Sequence, residues 1–141
     1  MSDTSTLVIP SDPERLAEVD AFAERIIRDL GFTRDQGDDI AIAISEAVNN
    51  AIIHGNRNDS SKKVTIRFTV LDNGLSIEVI DEGEGYDPEA VADPTTPERL
   101  MDVSGRGLLI IRHLMDDVTL FNPENGNGIR MVKYFRRDRE V

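Results

Sequence analysis

The sequence predicts an α+β fold, a two-layer sandwich with helices packed on one face of a mixed, mostly antiparallel sheet. Three observations carry that prediction. Apolar residues recur at helical spacing over residues 16–30 and 33–55. They alternate with polar residues on both sides of Asp72-Asn73-Gly74, and a third helical stretch is followed by a second alternating pair. The order is strand, helices, hairpin, loop, helix, hairpin, with no repeat or linker, so 1–141 is expected to be one domain.

Residues 6–9 predict a short strand. Ser11-Asp12-Pro13-Glu14 then has the form of a capping box, with Ser11 as cap and Glu14 three residues on. Leu16, Val19, Phe22, Ala23, Ile26, Ile27 and Leu30 supply the first helix's apolar stripe, and Gly31 is placed to end it. Thr33 with Gln36 repeats the box and opens a second helix that stops near Gly55. In that helix Ile40, Ile42, Ile44, Ala47, Val48, Ala51 and Ile52 leave little room for a wet face. Val64, Ile66, Phe68 and Val70 alternate with Thr65, Arg67 and Thr69, which predicts a half-buried strand. Asp72-Asn73-Gly74 is a hairpin turn, and Leu75, Ile77 and Val79 alternate on the return. After Asp81, two glycine loops bracket residues 88–104, rich in Pro, Asp and Thr, which are expected to form a mobile lid. Residues 108–115 predict a helix, and 118–121 with 129–135 a second hairpin across PENGNG.

Composition narrows the function classes. With 27 acidic and 16 basic residues the net charge is −11, which argues against a nucleic-acid partner. Lys133, Arg136, Arg137 and Arg139 gather near the end, as a solvated strand and tail would. An acidic chain repels anions at long range, so a phosphate ligand would need local donors and a cation. Cysteine is absent, which excludes a disulfide scaffold and a thiolate metal site. Aromatics make up 5% with no Trp, so the core must be aliphatic. The start MSDTSTLVIPSDPE lacks the basic residues and apolar run of a signal peptide, and no apolar stretch approaches the ~20 residues of a membrane span. A cytoplasmic chain without membrane contact is expected.

Three short patterns carry chemistry. Glu46 and Asn50, with His54, are spaced to project from one helix face, beside Asn49. They are either an exposed polar stripe or a ligand-facing one. An Asn oxygen suits Mg²⁺, and a Glu one turn away suits proton acceptance from a hydroxyl. His54, near the helix end, is read first as a capping or packing residue. Asp81-Glu82-Gly83-Glu84-Gly85 follows a strand. Acidic glycine turns are common, but a carboxylate there can accept from an exocyclic amine such as adenine's, and glycine lets backbone approach a flat base. Ser104-Gly105-Arg106-Gly107-Leu108 opens a helix, either as an ordinary entry or as a set of free N–H groups for phosphate, with Arg106 adding donors. Neither GK[ST] nor GxGxxG is present.

Taken in order, ExxxN on a helix, DxGxG after a strand and GxG at a helix start resemble the GHKL ATPases of the Bergerat, or histidine-kinase-like, fold. Within them the chain is similar to the RsbW type of anti-sigma-factor serine-protein kinases, over its whole length and in the run Gly107-Leu108-Leu109-Ile110-Ile111. The resemblance implies ATP and Mg²⁺ as cofactors, Glu46 as the base and Asn50 as the Mg²⁺ ligand. It implies Asp81 holding the adenine amine, Gly83 and Gly85 closing on the base, and Gly105, Arg106, Gly107 and Leu108 binding the phosphates. His54 would be a supporting or structural residue. The implied partners are a STAS-type anti-sigma-factor antagonist, which is phosphorylated, and a sigma factor, which is sequestered; a homodimer is implied as well.

One departure stands out. Many relatives carry a Thr after the glycine in the penultimate strand turn, whereas here Gly128 is followed by Ile129, which puts one polar contact to the base in doubt. Two other readings stay open: a nucleotide-binding regulatory module without kinase activity, and a detached histidine-kinase ATPase domain. Glu46 speaks against the first. The second lacks an upstream phospho-acceptor His, since His54 and His113 are the only histidines.

Overall fold

Alternation along residues 63–71 buries Val64, Ile66 and Phe68 and leaves Thr65 and Arg67 partly exposed. This strand, β2 (Lys63–Leu71), belongs to a sheet with β1 (Thr4–Pro10), β3 (Gly74–Asp81), β4 (Asp117–Phe121) and β5 (Asn127–Tyr134). The computed structural model describes residues 3–83, 103–123 and 126–135. Among these the five strands lie in the order β1-β2-β3-β5-β4. Each neighbouring pair is antiparallel, so the sheet of the described residues carries no parallel pair. The expected hairpin joins β2 to β3, with Leu71 paired to Gly74 across Asp72-Asn73.

Helices α1 (Leu16–Leu30), α2 (Arg34–Asn50) and α3 (Val103–Leu114) complete the second layer. Ile40, Ile44 and Val48 recur every fourth residue along α2 and are fully buried. They share one core with Ile66, Phe68, Ile77 and Met131 of the sheet. Burying a side chain of that size stabilises the fold by about 1.5–3 kcal/mol, so this stripe decides which way α2 faces. Contrary to the expectation of a helix with little wet surface, Ile42 is 48% exposed. It lies half a turn from both Ile40 and Ile44, off the stripe that reaches the sheet.

The helix ends show where local signals succeed. Gly31 ends α1 in the left-handed conformation at φ 79°. Thr33 Oγ1 accepts from Gln36 N at 3.1 Å while Gln36 Oε1 accepts from Thr33 N at 3.2 Å, a reciprocal capping box that opens α2 as expected. The box expected at Ser11 does not form. Asp12 caps a short 3-10 turn, Pro13–Arg15, by accepting from Glu14 N at 3.0 Å, and α1 starts after it. Ser11 is buried and donates instead to Lys62 O at 2.7 Å, tying the end of β1 to the start of β2.

Beyond Asn50 the helix widens into a π turn, Ala51–Gly55, in which Asn56 N donates to Ala51 O at 2.8 Å. Such turns shift the register of everything after them. No helix among the described residues is long and apolar enough to cross a membrane.

Candidate functional site

Glu46 and Asn50 stand one turn apart on α2, on the side away from the buried Ile40–Ile44–Val48 stripe, and both are partly exposed. Asn50 meets α3. The Gly107 backbone lies so close that a Cβ there would fall 2.5 Å from Asn50 Nδ2, nearer than side chains tolerate. The π turn carries His54 off the Glu46–Asn50 track, and its side chain is exposed. Gly55 ends the same turn against Asp81: a Cβ at position 55 would lie 2.2 Å from Asp81 Oδ2. The end of α2 is therefore where the helix, the end of β3 and the first turns of α3 meet.

Asp81 is 5% exposed. Its Oδ1 accepts from Gly83 N at 2.8 Å and from Asn127 Nδ2 at 2.9 Å. Burial pushes its carboxyl above the ordinary carboxylate range, and these two hydrogen bonds oppose the shift by favouring the ionised form. Gly83 is needed in this arrangement because a Cβ there would lie 2.4 Å from Gly55 O. The turn is thus folded onto the end of α2.

Two asparagines that sequence reasoning passed over organise this corner. Asn56, 1% exposed, donates through Nδ2 to Ser11 Oγ at 2.7 Å and Lys63 O at 3.0 Å. Its Oδ1 accepts from Glu82 N at 2.8 Å, and Glu82 Oε2 accepts from Lys63 N. One side chain thereby links the end of α2 to β1, β2 and the loop after Asp81. A polar residue directly after His-Gly at a helix end was the available signal. Asn127 pairs with Asp81 in the β3–β5 register, is 7% exposed, and its Oδ1 has no hydrogen-bond partner among the described residues. Its place within PENGNG made it look like an ordinary turn residue.

Ile129, where a polar contact to the base was in doubt, lies opposite Val79 and Leu120 and is 6% exposed, so it belongs to the core. Leu108 is also core, 7% exposed, and as the sixth residue of α3 it has its N–H inside the helix's own hydrogen-bond ladder, so the expected phosphate contact at Leu108 is not available in this helix. The helix expected from residue 108 begins at Val103, so Gly105, Arg106 and Gly107 lie within the first turns of α3. Gly85 and residues 88–102 of the expected lid lie outside the described residues.

Among the described residues no group of three His, Cys, Asp or Glu side chains is gathered to hold a metal ion. A groove of ≈ 400 Å³ between α1 and α2, lined by Ala23, Ile27, Phe32, Gly37 and Ala41 among others, includes neither Glu46, Asn50 nor Asp81. What the site offers is a buried acceptor at a strand end and an amide beside a carboxylate on one helix. The N-terminal turns of a second helix lie against that amide. A buried acceptor complements an amine donor, and the N-terminal turn of a helix complements an anion.

Comparison with known proteins shows the family of the chain. The pattern of the histidine kinase-like ATPase domain matches residues 9–133. Serine-protein kinase RsbW of Bacillus subtilis is 31% identical, across 98% of this chain and 89% of its own length. Serine-protein kinase RsbW of Listeria monocytogenes is 30% identical, across 95% of this chain and 88% of its own. The chain belongs to the histidine kinase-like ATPase domain family and, within it, to the RsbW serine-protein kinases. Solved structures share the fold. The RsbU and RsbW domains of a Mycobacterium tuberculosis protein match with a TM-score of 0.71 at 20% identity over 98% of this chain, which spans 34% of that solved chain. A blue-light activated histidine kinase from Erythrobacter litoralis matches with a TM-score of 0.57 at 18% identity over 74% of this chain, which spans 32% of that one.

Proposed function

We propose that the chain is one ATP-dependent serine-protein kinase domain of the anti-sigma type. It phosphorylates a Ser or Thr on a STAS-type antagonist and sequesters a sigma factor when the antagonist is not engaged. The observation that supports this best is the convergence on the end of α2, where Asp81 abuts Gly55 and Gly107 abuts Asn50. A binding site for ATP needs base recognition and phosphate recognition held at a fixed separation, and the residues this reading assigns to the two tasks lie at one helix end.

In this reading each side chain has a distinct task. Asp81 accepts a hydrogen bond from the adenine amine, and Gly83 and Gly85 keep the loop free of side chains next to the base. Asn50 offers a neutral oxygen to Mg²⁺, which takes the rest of its ligands from phosphate and water. The free N–H groups of the first turn of α3, Gly105's among them, hold phosphate oxygens together with Arg106, and Gly107 leaves room for Asn50 beside them. Bound Mg-ATP supplies the phosphoryl group for transfer. Glu46, one turn from Asn50 and partly exposed, orients the incoming hydroxyl and takes its proton. The reading includes a homodimer in the cytoplasm. At a net charge of −11 it includes no direct contact with nucleic acid.

Transfer from [γ-³²P]ATP to a purified STAS-type antagonist tests the proposal. Acid-stable label on a Ser or Thr of the antagonist is expected. ATP binding without label on any partner would reduce the chain to a nucleotide-binding module. Acid-labile label on a histidine would move it to the histidine-kinase reading.

A further inference from the structure

We propose that Asn127 is a base-selecting residue: its Oδ1 accepts a hydrogen bond from the exocyclic amine of the nucleotide base, beside Asp81. The inference rests on the ATP reading above and names a contact that reading does not contain.

Three observations carry it. Asn127 sits directly opposite Asp81 in the antiparallel register, with its side chain 7% exposed. Its Nδ2 donates to Asp81 Oδ1 at 2.9 Å. Its Oδ1 is the one buried side-chain nitrogen or oxygen among the described residues without a hydrogen-bond partner. Buried acceptors left unpaired are costly, and native structures rarely keep one without a ligand, water or functional reason.

The neighbouring carboxylate removes the ambiguity of an amide. Ionised Asp81 only accepts. If Asn127 flipped, its oxygen would face Asp81 Oδ1 and a hydrogen bond would become a repulsion. Asp81 therefore holds the amide with nitrogen toward itself and leaves the oxygen for the ligand. The open oxygens of the pair, Asp81 Oδ2 and Asn127 Oδ1, are both acceptors. An exocyclic amine carries two N–H donors and matches such a pair. A base with a carbonyl oxygen in that position meets two acceptors and is repelled. The Asp81–Asn127 pair thus selects adenine more sharply than Asp81 could by itself. The polar contact that Ile129 cannot make is supplied two residues earlier, on the same face of β5.

The test uses the full chain and isothermal titration with Mg-ATP and with purine riboside triphosphate, which lacks the amine. Wild type is expected to favour ATP. Asn127→Leu is expected to weaken ATP about three- to tenfold, the range of a single neutral hydrogen bond, while leaving the amine-less analogue nearly unchanged. Asn127→Thr, whose hydroxyl can donate to Asp81 and still accept, should restore most of the preference. Asn127→Ala carries the comparison should the Leu variant fail to fold. A second arm repeats the substitution in an Asp81→Asn background. A cost that persists there supports direct contact with the amine. A cost that vanishes there means Asn127 acts only by bracing Asp81, and the inference is overturned. Equal losses for ATP and the amine-less analogue overturn it too. Failure of the wild type to bind ATP at all would reject the nucleotide reading itself, a separable result.

Discussion

Asp81→Asn should make the protein a poorer nucleotide binder and a more stable fold at once. Oδ1 of Asp81 is occupied by Gly83 N at 2.8 Å and Asn127 Nδ2 at 2.9 Å. An Asn at 81 keeps both bonds through its own oxygen, so the change is confined to Oδ2, which becomes an NH₂ donor. A donor facing the adenine amine forfeits one charge-assisted hydrogen bond, about 1.5–3 kcal/mol. At ~1.4 kcal/mol per tenfold, ATP affinity should fall about ten- to hundredfold. Stability moves the other way. Burial raises the Asp81 carboxyl from its ordinary 3.8, so its favourable contribution is fully present below the unfolded-state value. That contribution is lost as pH rises through the folded-state value. At neutral pH the wild type therefore carries a buried charge that Asn does not. Urea unfolding without nucleotide should show Asp81→Asn more stable at pH 7, with the gap closing as pH falls toward the ordinary carboxylate value. Calorimetry supplies the affinity arm. A variant that binds ATP as tightly as wild type, or is less stable than wild type at pH 7, would refute the assignment of Asp81 as a desolvated base acceptor.

Glu46→Gln should leave ATP affinity within about twofold while phosphoryl transfer drops about 10²–10⁴-fold, the usual contribution of a general base; transfer at the wild-type rate in a radiolabel assay removes Glu46 from that role. Asn50→Ala should weaken ATP binding in Mg²⁺ but change little in EDTA, since only the metal-dependent part is lost; equal losses in both titrations argue against a metal ligand. Thr33→Ala should lower unfolding stability by about 0.5–2 kcal/mol through loss of the cap on α2. An unchanged urea midpoint would show that the bond from Gln36 Nε2 to Tyr134 O, 2.9 Å long, holds the helix start alone.

The reciprocal box at Thr33 and Gln36, the stop at Gly31 and the hairpin at Asp72-Asn73 were legible because each depends on residues a few positions apart. The same locality misled at Ser11. Its spacing to Glu14 fits a capping box, but Lys62, 51 residues away, offers a carbonyl that captures the hydroxyl. Glu46, Asn50 and Asp81 stood out as candidates by type and spacing, and the roles proposed for them come from the order of the three motifs and the family resemblance it carries. What the sequence by itself determined was thus the order of elements, the family resemblance and a short set of candidate polar residues. Only the tertiary structure decided how they meet. Asn127 faces Asp81 because β3 and β5 pair in one antiparallel register across 46 residues of chain. Asn50 touches α3 because Gly107 lacks a Cβ, and Asn56 joins the start of β2 to the residues just after β1 and β3 through one buried amide. Periodicity reports which face of an element is apolar. Strand register and helix approach are settled by packing between distant segments, which no local spacing encodes.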